Sequence, residues 1–222
     1  MKKRNESKIT MAALMMVAAM AMTSCASSKK TNGDSNASKI SEMGKNEEDL
    51  DNSYLVLSDT QQDIVKKNNA FALRLFNKVT DMESKVISPM SVSYLMGMLA
   101  NGADGITQQE ILKAIGCEGV SVSDLNELYK AMLLNANHQD KQTTVNIANY
   151  IAVNKNFKLN KNFSQQVSDS YQAGIESLDF TSSKSTDRIN GWCKEKTNGM
   201  IPRIIDQVSA DAVSYLMNAI YF

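Results

Sequence analysis

The segment Ser214–Phe222, SYLMNAIYF, constrains the fold more than any other stretch of the chain. Its odd positions Tyr215, Met217, Ala219 and Tyr221 are apolar, and so are the even positions Leu216, Ile220 and Phe222, with Asn218 the exception. Successive side chains of a strand point to opposite faces, so a strand apolar on both belongs in a sheet covered above and below. The residues that cover it therefore have to be sought elsewhere in the sequence.

Helical and strand patterns precede it. In the stretch from Tyr54, Phe71, Leu75, Phe76 and Val79 fall at helical spacing and are expected to face inward. Ser88 reads as the cap of a helix whose first residue is Pro89, where a missing N–H costs least. Val92, Leu95, Met96 and Leu99 form one stripe of that helix, while Tyr94, Gly97 and Met98 make its other side apolar too. A helix apolar nearly all round is buried. Gly102 and Gly105 close it in a turn, Thr107–Glu110 (TQQE) reads as the capping box of the next helix, and Gly116 ends that helix. A further helix is expected from Ser123, carrying Leu125, Leu128, Met132 and Leu133.

Val145, Ile147, Ile151 and Val153 then alternate as a strand, broken by Asn149. A short helix over KNFSQQVSDSYQA and a short strand over GIESLDF follow. The next helix points Ile189, Trp192 and Cys193 inward and ends at Asn198 and Gly199, with Thr197 an ordinary cap. Helices first, then strands alternating with helices, give an α+β or α/β class.

Composition enters where function is at issue. The 222 residues carry 24 basic and 24 acidic side chains, which argues against nucleic acid, whose binding needs a basic surface. Lys2, Lys3, Arg4 and Lys8 precede an uninterrupted apolar run over residues 11–22, then Thr23, Ser24 and Cys25. This is the pattern of a secretory signal, too short to span a bilayer as a mature helix. Cys25 after small residues resembles a bacterial lipobox, with Met22 where that pattern favours Leu; lipid attachment at Cys25 is the expectation, and plain signal cleavage the other reading. Residues 26–53, rich in Ser, Asn, Lys and Glu, read as a flexible tether. Cys117 and Cys193 remain, read as two buried thiols, although an exported chain permits a disulfide.

No nucleophile elbow, phosphate loop or HExxH motif is present, and the single His138 sits in a loop of Asn and Gln. No catalytic residue, metal site or cofactor is expected. What the chain does carry is a set of segments in order: NNAFALRLF, VISPMSVSYLMGMLANGADGITQQEIL, INGWCKEKTNGMI and YLMNAIYF. Together they resemble the serpin family, over Tyr54 to Phe222 and up to about the family's halfway point.

The resemblance implies an α+β serpin fold, with the first helices packed on part of a large central sheet. With the signal and tether read above, the chain divides into a lipoprotein signal peptide (1–24), a tether (25–53) and, by the resemblance, the N-terminal half of a serpin domain (54–222). It implies a suicide-substrate inhibitor of serine or cysteine endopeptidases, not an enzyme. The strand at 213–222 is then a central strand at whose far edge the cleaved reactive-centre loop inserts. Ser88, Ser91 and Asn218 match the shutter, where the sheet parts. They are expected to bond one another or a shared partner, since an unpaired buried polar group costs about 1–3 kcal/mol. The plainer reading is that Ser88 caps the helix, Ser91 bonds the preceding turn and Asn218 satisfies backbone. Glu83-Ser84-Lys85 stands where the family often has an Asn, which removes one shutter contact.

The resemblance further implies a target endopeptidase as partner, a membrane reached through Cys25, and a monomer when the protein is complete. The helix from Ser123 carries Asp124, Glu127 and Lys130, so no heparin-type cofactor is expected. The expected location is extracytoplasmic: an outer-membrane or periplasmic lipoprotein, or one at the cell surface or outside the cell. A non-inhibitory serpin-fold binding or structural lipoprotein is the alternative. The reactive-centre loop is expected outside these residues, so that 1–222 alone should inhibit nothing, expose both apolar faces and the edge of its terminal strand, and associate through them.

Overall fold

A computed structural model describes residues 55–80, 84–136 and 142–222. The signal segment, Cys25, the tether, Glu83 and His138 lie outside the described residues. Helix α1 (Asp59–Val79) starts at a capping box in which the Ser58 hydroxyl accepts from Gln61 N–H and the Gln61 side chain accepts from Ser58 N–H. Its inward residues are Ile64 and Phe71; Phe76, expected to face inward, is 47% exposed. Burial follows Ile64 and Phe71, seven residues apart and so on one face.

Helix α2 (Pro89–Asn101) begins at Ser88 as expected. The side buried deepest is Ser91, Tyr94 and Met98, with the Val92–Leu99 stripe half-buried. Helix α3 (Gly105–Ala114) is capped by Asp104, whose carboxylate accepts from Gly105 N–H at 2.7 Å, not by Thr107. Gly105 has φ +57°, which lets the chain turn into the helix ahead of the TQQE run. Gln108 of that run instead donates to the carbonyls of Ala100 and Ala103 and closes the end of α2. Helix α4 (Val122–Asn135) is capped by Ser121, two residues before the expected start.

Strand β1 (Asn146–Asn154), helix α5 (Lys161–Tyr171) and strand β2 (Gly174–Leu178) form a βαβ unit, with β1 and β2 parallel. Helix α6 (Ser183–Lys196) leads to strand β3 (Ser214–Tyr221). Strand order is β2-β1-β3, and β3 runs antiparallel to β1 with Asn149 opposite Asn218. The architecture is α+β, six helices and a three-stranded mixed sheet among the described residues.

The sheet separates two cores. Ile151 and Val153 of β1, with Leu216 of β3 packed alongside, join the larger one with Ile64, Tyr94, Met98, Leu128 and Tyr171. Tyr150, Ala152, Met217 and Ala219 join a smaller one with Ile189, Trp192 and Cys193 of α6. The strand that is apolar on both sides, expected to leave both faces exposed in 1–222, is instead covered by α2 on one face and α6 on the other, because helices from earlier in the chain fold back over it; only Phe222 at its end stays exposed. Cys117 and Cys193 are free, buried, and in separate cores. Burial pushes the Cys117 thiol up to about 11, which makes it a weak nucleophile.

Candidate functional site

At the foot of α2, Ser88 has extended backbone and Pro89 occupies the first helical position. The Ser88 hydroxyl accepts from Ser91 N–H at 3.2 Å and from the Ser91 hydroxyl at 2.9 Å. Both plain roles expected of these serines are met: Ser88 caps the helix and Ser91 bonds back toward the turn. Ser91 is buried.

Asn218 is buried and does not join the serines. Its amide N–H donates to Asn149 Oδ1 at 2.8 Å, and Asn149 Nδ2 donates to the carbonyl of Tyr171 at 2.7 Å. Tyr171 is the last residue of α5, so Asn149 satisfies one of the carbonyls that a helix end leaves open. The chain Asn218–Asn149–Tyr171 thus links β3, β1 and α5. Asn149 was missed as a site residue, although its signal was in the sequence: it is the polar break in an alternating strand. Asn218 Oδ1 has no hydrogen-bond partner, and neither has the Tyr94 hydroxyl, also fully buried. An unmade bond of this kind costs about 1–3 kcal/mol.

Behind this seam, Tyr94, Tyr129 and Tyr171 pack ring against ring, with centroids 4.9, 5.9 and 6.3 Å apart. Gly97 makes the packing possible: a Cβ there would stand 2.5 Å from the Tyr171 hydroxyl. That hydroxyl donates to Asn126 Oδ1 at 2.7 Å, and Asn126 exchanges amide bonds with Asn101 at 2.8 and 2.9 Å. Burial raises all three phenols above their ordinary range, so they stay protonated.

On the other face, Thr197 does more than cap α6. Its hydroxyl donates to the Cys193 carbonyl and accepts from Ile201 N–H. Asn190 Oδ1 accepts from Ile204 and Ile205 N–H, and Thr186 Oγ1 from Val208 N–H. These bonds strap residues 201–208 back along α6.

Residues 66–222 match the model of the family described as Serpin (serine protease inhibitor). The chain belongs to the serpin family. It is 31% identical over 179 residues to Iripin-2 of Ixodes ricinus, covering 77% of this chain and 45% of that protein. It is 30% identical over 152 residues to Serine protease inhibitor 42Dd of Drosophila melanogaster, covering 67% and 41%. The chain thus spans under half the length of the curated relatives it matches. Among solved structures, the thermophilic serpin tengpin matches at 33% identity in its latent state (TM-score 0.66, 74% of this chain and 44% of that one). Its native state matches equally well (TM-score 0.65, 74% and 42%). The fold of this serpin chain is thus shared by both states of that relative.

Proposed function

We propose that the chain is the N-terminal half of an extracytoplasmic serpin that inhibits serine or cysteine endopeptidases as a suicide substrate. In this reading the protease nucleophile attacks the scissile carbonyl of a reactive loop carried elsewhere in the protein. The amine leaves, the acyl-enzyme stays joined, and the freed loop enters the sheet as a new strand. The observation that carries the reading is the edge of β3. That strand pairs with β1 on one side and is covered on both faces, yet among the described residues its other edge has no ladder partner. An incoming strand at that edge satisfies a full row of N–H and C=O groups.

Ser88, Ser91 and Asn218 act as the shutter in this proposal, with Asn149 as the residue that holds Asn218 in place. The free Oδ1 of Asn218 supports it, because a buried acceptor with no donor is suited to a partner that changes when the sheet parts. We also propose lipid attachment at Cys25 after removal of residues 1–24, a tether over 25–53, and an outer-membrane or periplasmic location. Mass spectrometry of the mature N-terminus tests this, and an unmodified Cys25 overturns it.

The inhibitory reading is tested on the full-length protein with a panel of trypsin-, chymotrypsin-, elastase- and papain-type proteases. The expected result is a covalent complex that survives denaturing electrophoresis. Cleavage with no complex, and no gain in heat resistance after cleavage, overturns it.

A further inference from the structure

Helix α6 is held on the sheet in an uneven way. Its middle packs Ile189, Trp192 and Cys193 on β1 and β3. Toward β2 there is instead a cavity of about 460 Å³, lined by Tyr150, Gly174, Glu176, Arg188, Trp192 and Glu195 among others. Across that cavity the helix is tied to the sheet by a small set of polar and aromatic contacts.

Glu176 of β2 is the centre of the set. Arg188 of α6 grips it with two nitrogens, Nε to Oε1 at 3.2 Å and a terminal nitrogen to Oε2 at 2.8 Å. The Tyr150 hydroxyl of β1 donates to the same Oε2 at 2.7 Å. The Arg188 guanidinium lies 5.8 Å from the Tyr150 ring centroid, and Trp192, one turn along α6, stacks on Tyr150 at 5.1 Å and 19°. A two-pronged Arg–carboxylate pair tied into a network holds geometry better than a lone surface pair. Gly174 lies opposite Tyr150 in the register, with the ring packed beside its backbone.

We propose that Tyr150, Glu176, Arg188 and Trp192 form a latch that pins α6 to β1 and β2 and sets the rate at which the sheet admits a strand. They are positioning residues; none touches a substrate. The proposal rests on the strand-insertion reading above. α6 and its strap cover β3 on the face where Met217 and Ala219 lie, so β3 shifts only if α6 shifts with it or lifts. The apolar contacts let the helix slide, because they have no direction. The latch bonds do have direction, and they sit at the rim of a cavity. Breaking them frees the helix without opening the packed core.

The test uses the full-length protein held below its melting temperature. Conversion to the heat-resistant, strand-inserted form is followed on native gels, together with hydrogen exchange of the α6 amides. Glu176→Gln and Arg188→Met are expected to speed conversion about fivefold and to raise α6 exchange selectively. The double variant should be no faster than the faster single one, since both remove the same contact. Val167→Ala, a cavity in the other core, is the control for lost stability. If it speeds conversion as much as latch variants of equal melting temperature, or if the latch variants keep the unmodified rate, the latch is overturned alone. If the unmodified protein neither converts nor traps a protease, the insertion reading fails and the latch falls with it.

Discussion

The two faces of one sheet are held by different means. Toward α2 and α5, Ile151 is fully buried and the neighbouring polar groups are locked into asparagine and tyrosine bonds, in contact with helices from five parts of the chain. Toward α6, a single helix and its strap lie on Ala148, Tyr150, Ala152, Met217 and Ala219, with a cavity at one end. Small alanines make this second face a sliding contact, which the proposed latch holds at one end. The first is an interlocked one, where any shift breaks hydrogen bonds that water cannot replace. In the proposed insertion, a sheet that parts would use both: an anchor on one side and a cover that yields on the other.

The sharpest way to break this contrast is to cut a large side chain from each face. Trp192→Ala should cost about 3–5 kcal/mol and Ile151→Ala about 2–5 kcal/mol of stability in the full-length protein. Hydrogen exchange separates them: Trp192→Ala should raise exchange in α6 and its strap while α1 to α5 keep their protection. Ile151→Ala should raise exchange throughout. Equal patterns would erase the distinction between the faces.

Gly97→Ala probes the interlocked face by overfilling it. A methyl 2.5 Å from the Tyr171 hydroxyl has to push the ring away from Asn126, at about 1–3 kcal/mol. A melt unchanged from the parent would mean that the tyrosine cluster is looser than its contacts imply.

The asparagine seam gives a finer comparison. Asn149→Ala leaves both the Asn218 amide and the Tyr171 carbonyl unpaired and should cost about 1–3 kcal/mol. Asn218→Ala should cost less, since its Oδ1 already lacks a partner. It should nonetheless hasten polymer formation on gentle warming, with Ser91→Ala weaker in the same direction. Light scattering during warming decides this, and rates equal to the unmodified protein would remove the shutter assignment.

The smallest effect is electrostatic. Lys155 at the end of β1 pairs with Asp179 after β2 at 2.7 Å, and the Lys155 and Thr181 bonds hold the Asp179 carboxyl down at about 2. A depressed carboxyl stabilises above its unfolded value near 4 and loses that contribution as pH falls toward 2. The gap in urea midpoint between the unmodified protein and Asp179→Asn should therefore be constant above pH 5 and close between pH 4 and pH 2. A gap independent of pH would show that the pair contributes nothing through charge.

Much of this is legible in the sequence alone. Ser88 followed by Pro89 marks a helix start because both act locally, on the first turn alone. The inward set Ile189, Trp192 and Cys193 was legible because one side of α6 is plainly polar. Asn149 stood out as a break in alternation, yet its partner could not be named, since the pairing joins residues 69 apart. The caps Asp104 and Ser121 lie three and two residues before the expected helix starts. Several Ser, Thr and Asp candidates lie near each helix start, and the entering chain direction selects among them.

The sequence by itself determined that Ser214–Phe222 is a strand apolar on both faces, that α2 is buried, and that the chain is a serpin; these follow from side-chain chemistry and local order. Only the tertiary structure decided which side of α2 goes deepest, that Phe76 stays exposed, that Asn218 pairs with Asn149, and that Glu176 gathers Tyr150 and Arg188. The physical reason is common to all four. Period and composition say how much surface an element must bury, whereas the neighbour it is buried against depends on contacts between distant segments, which no local pattern encodes.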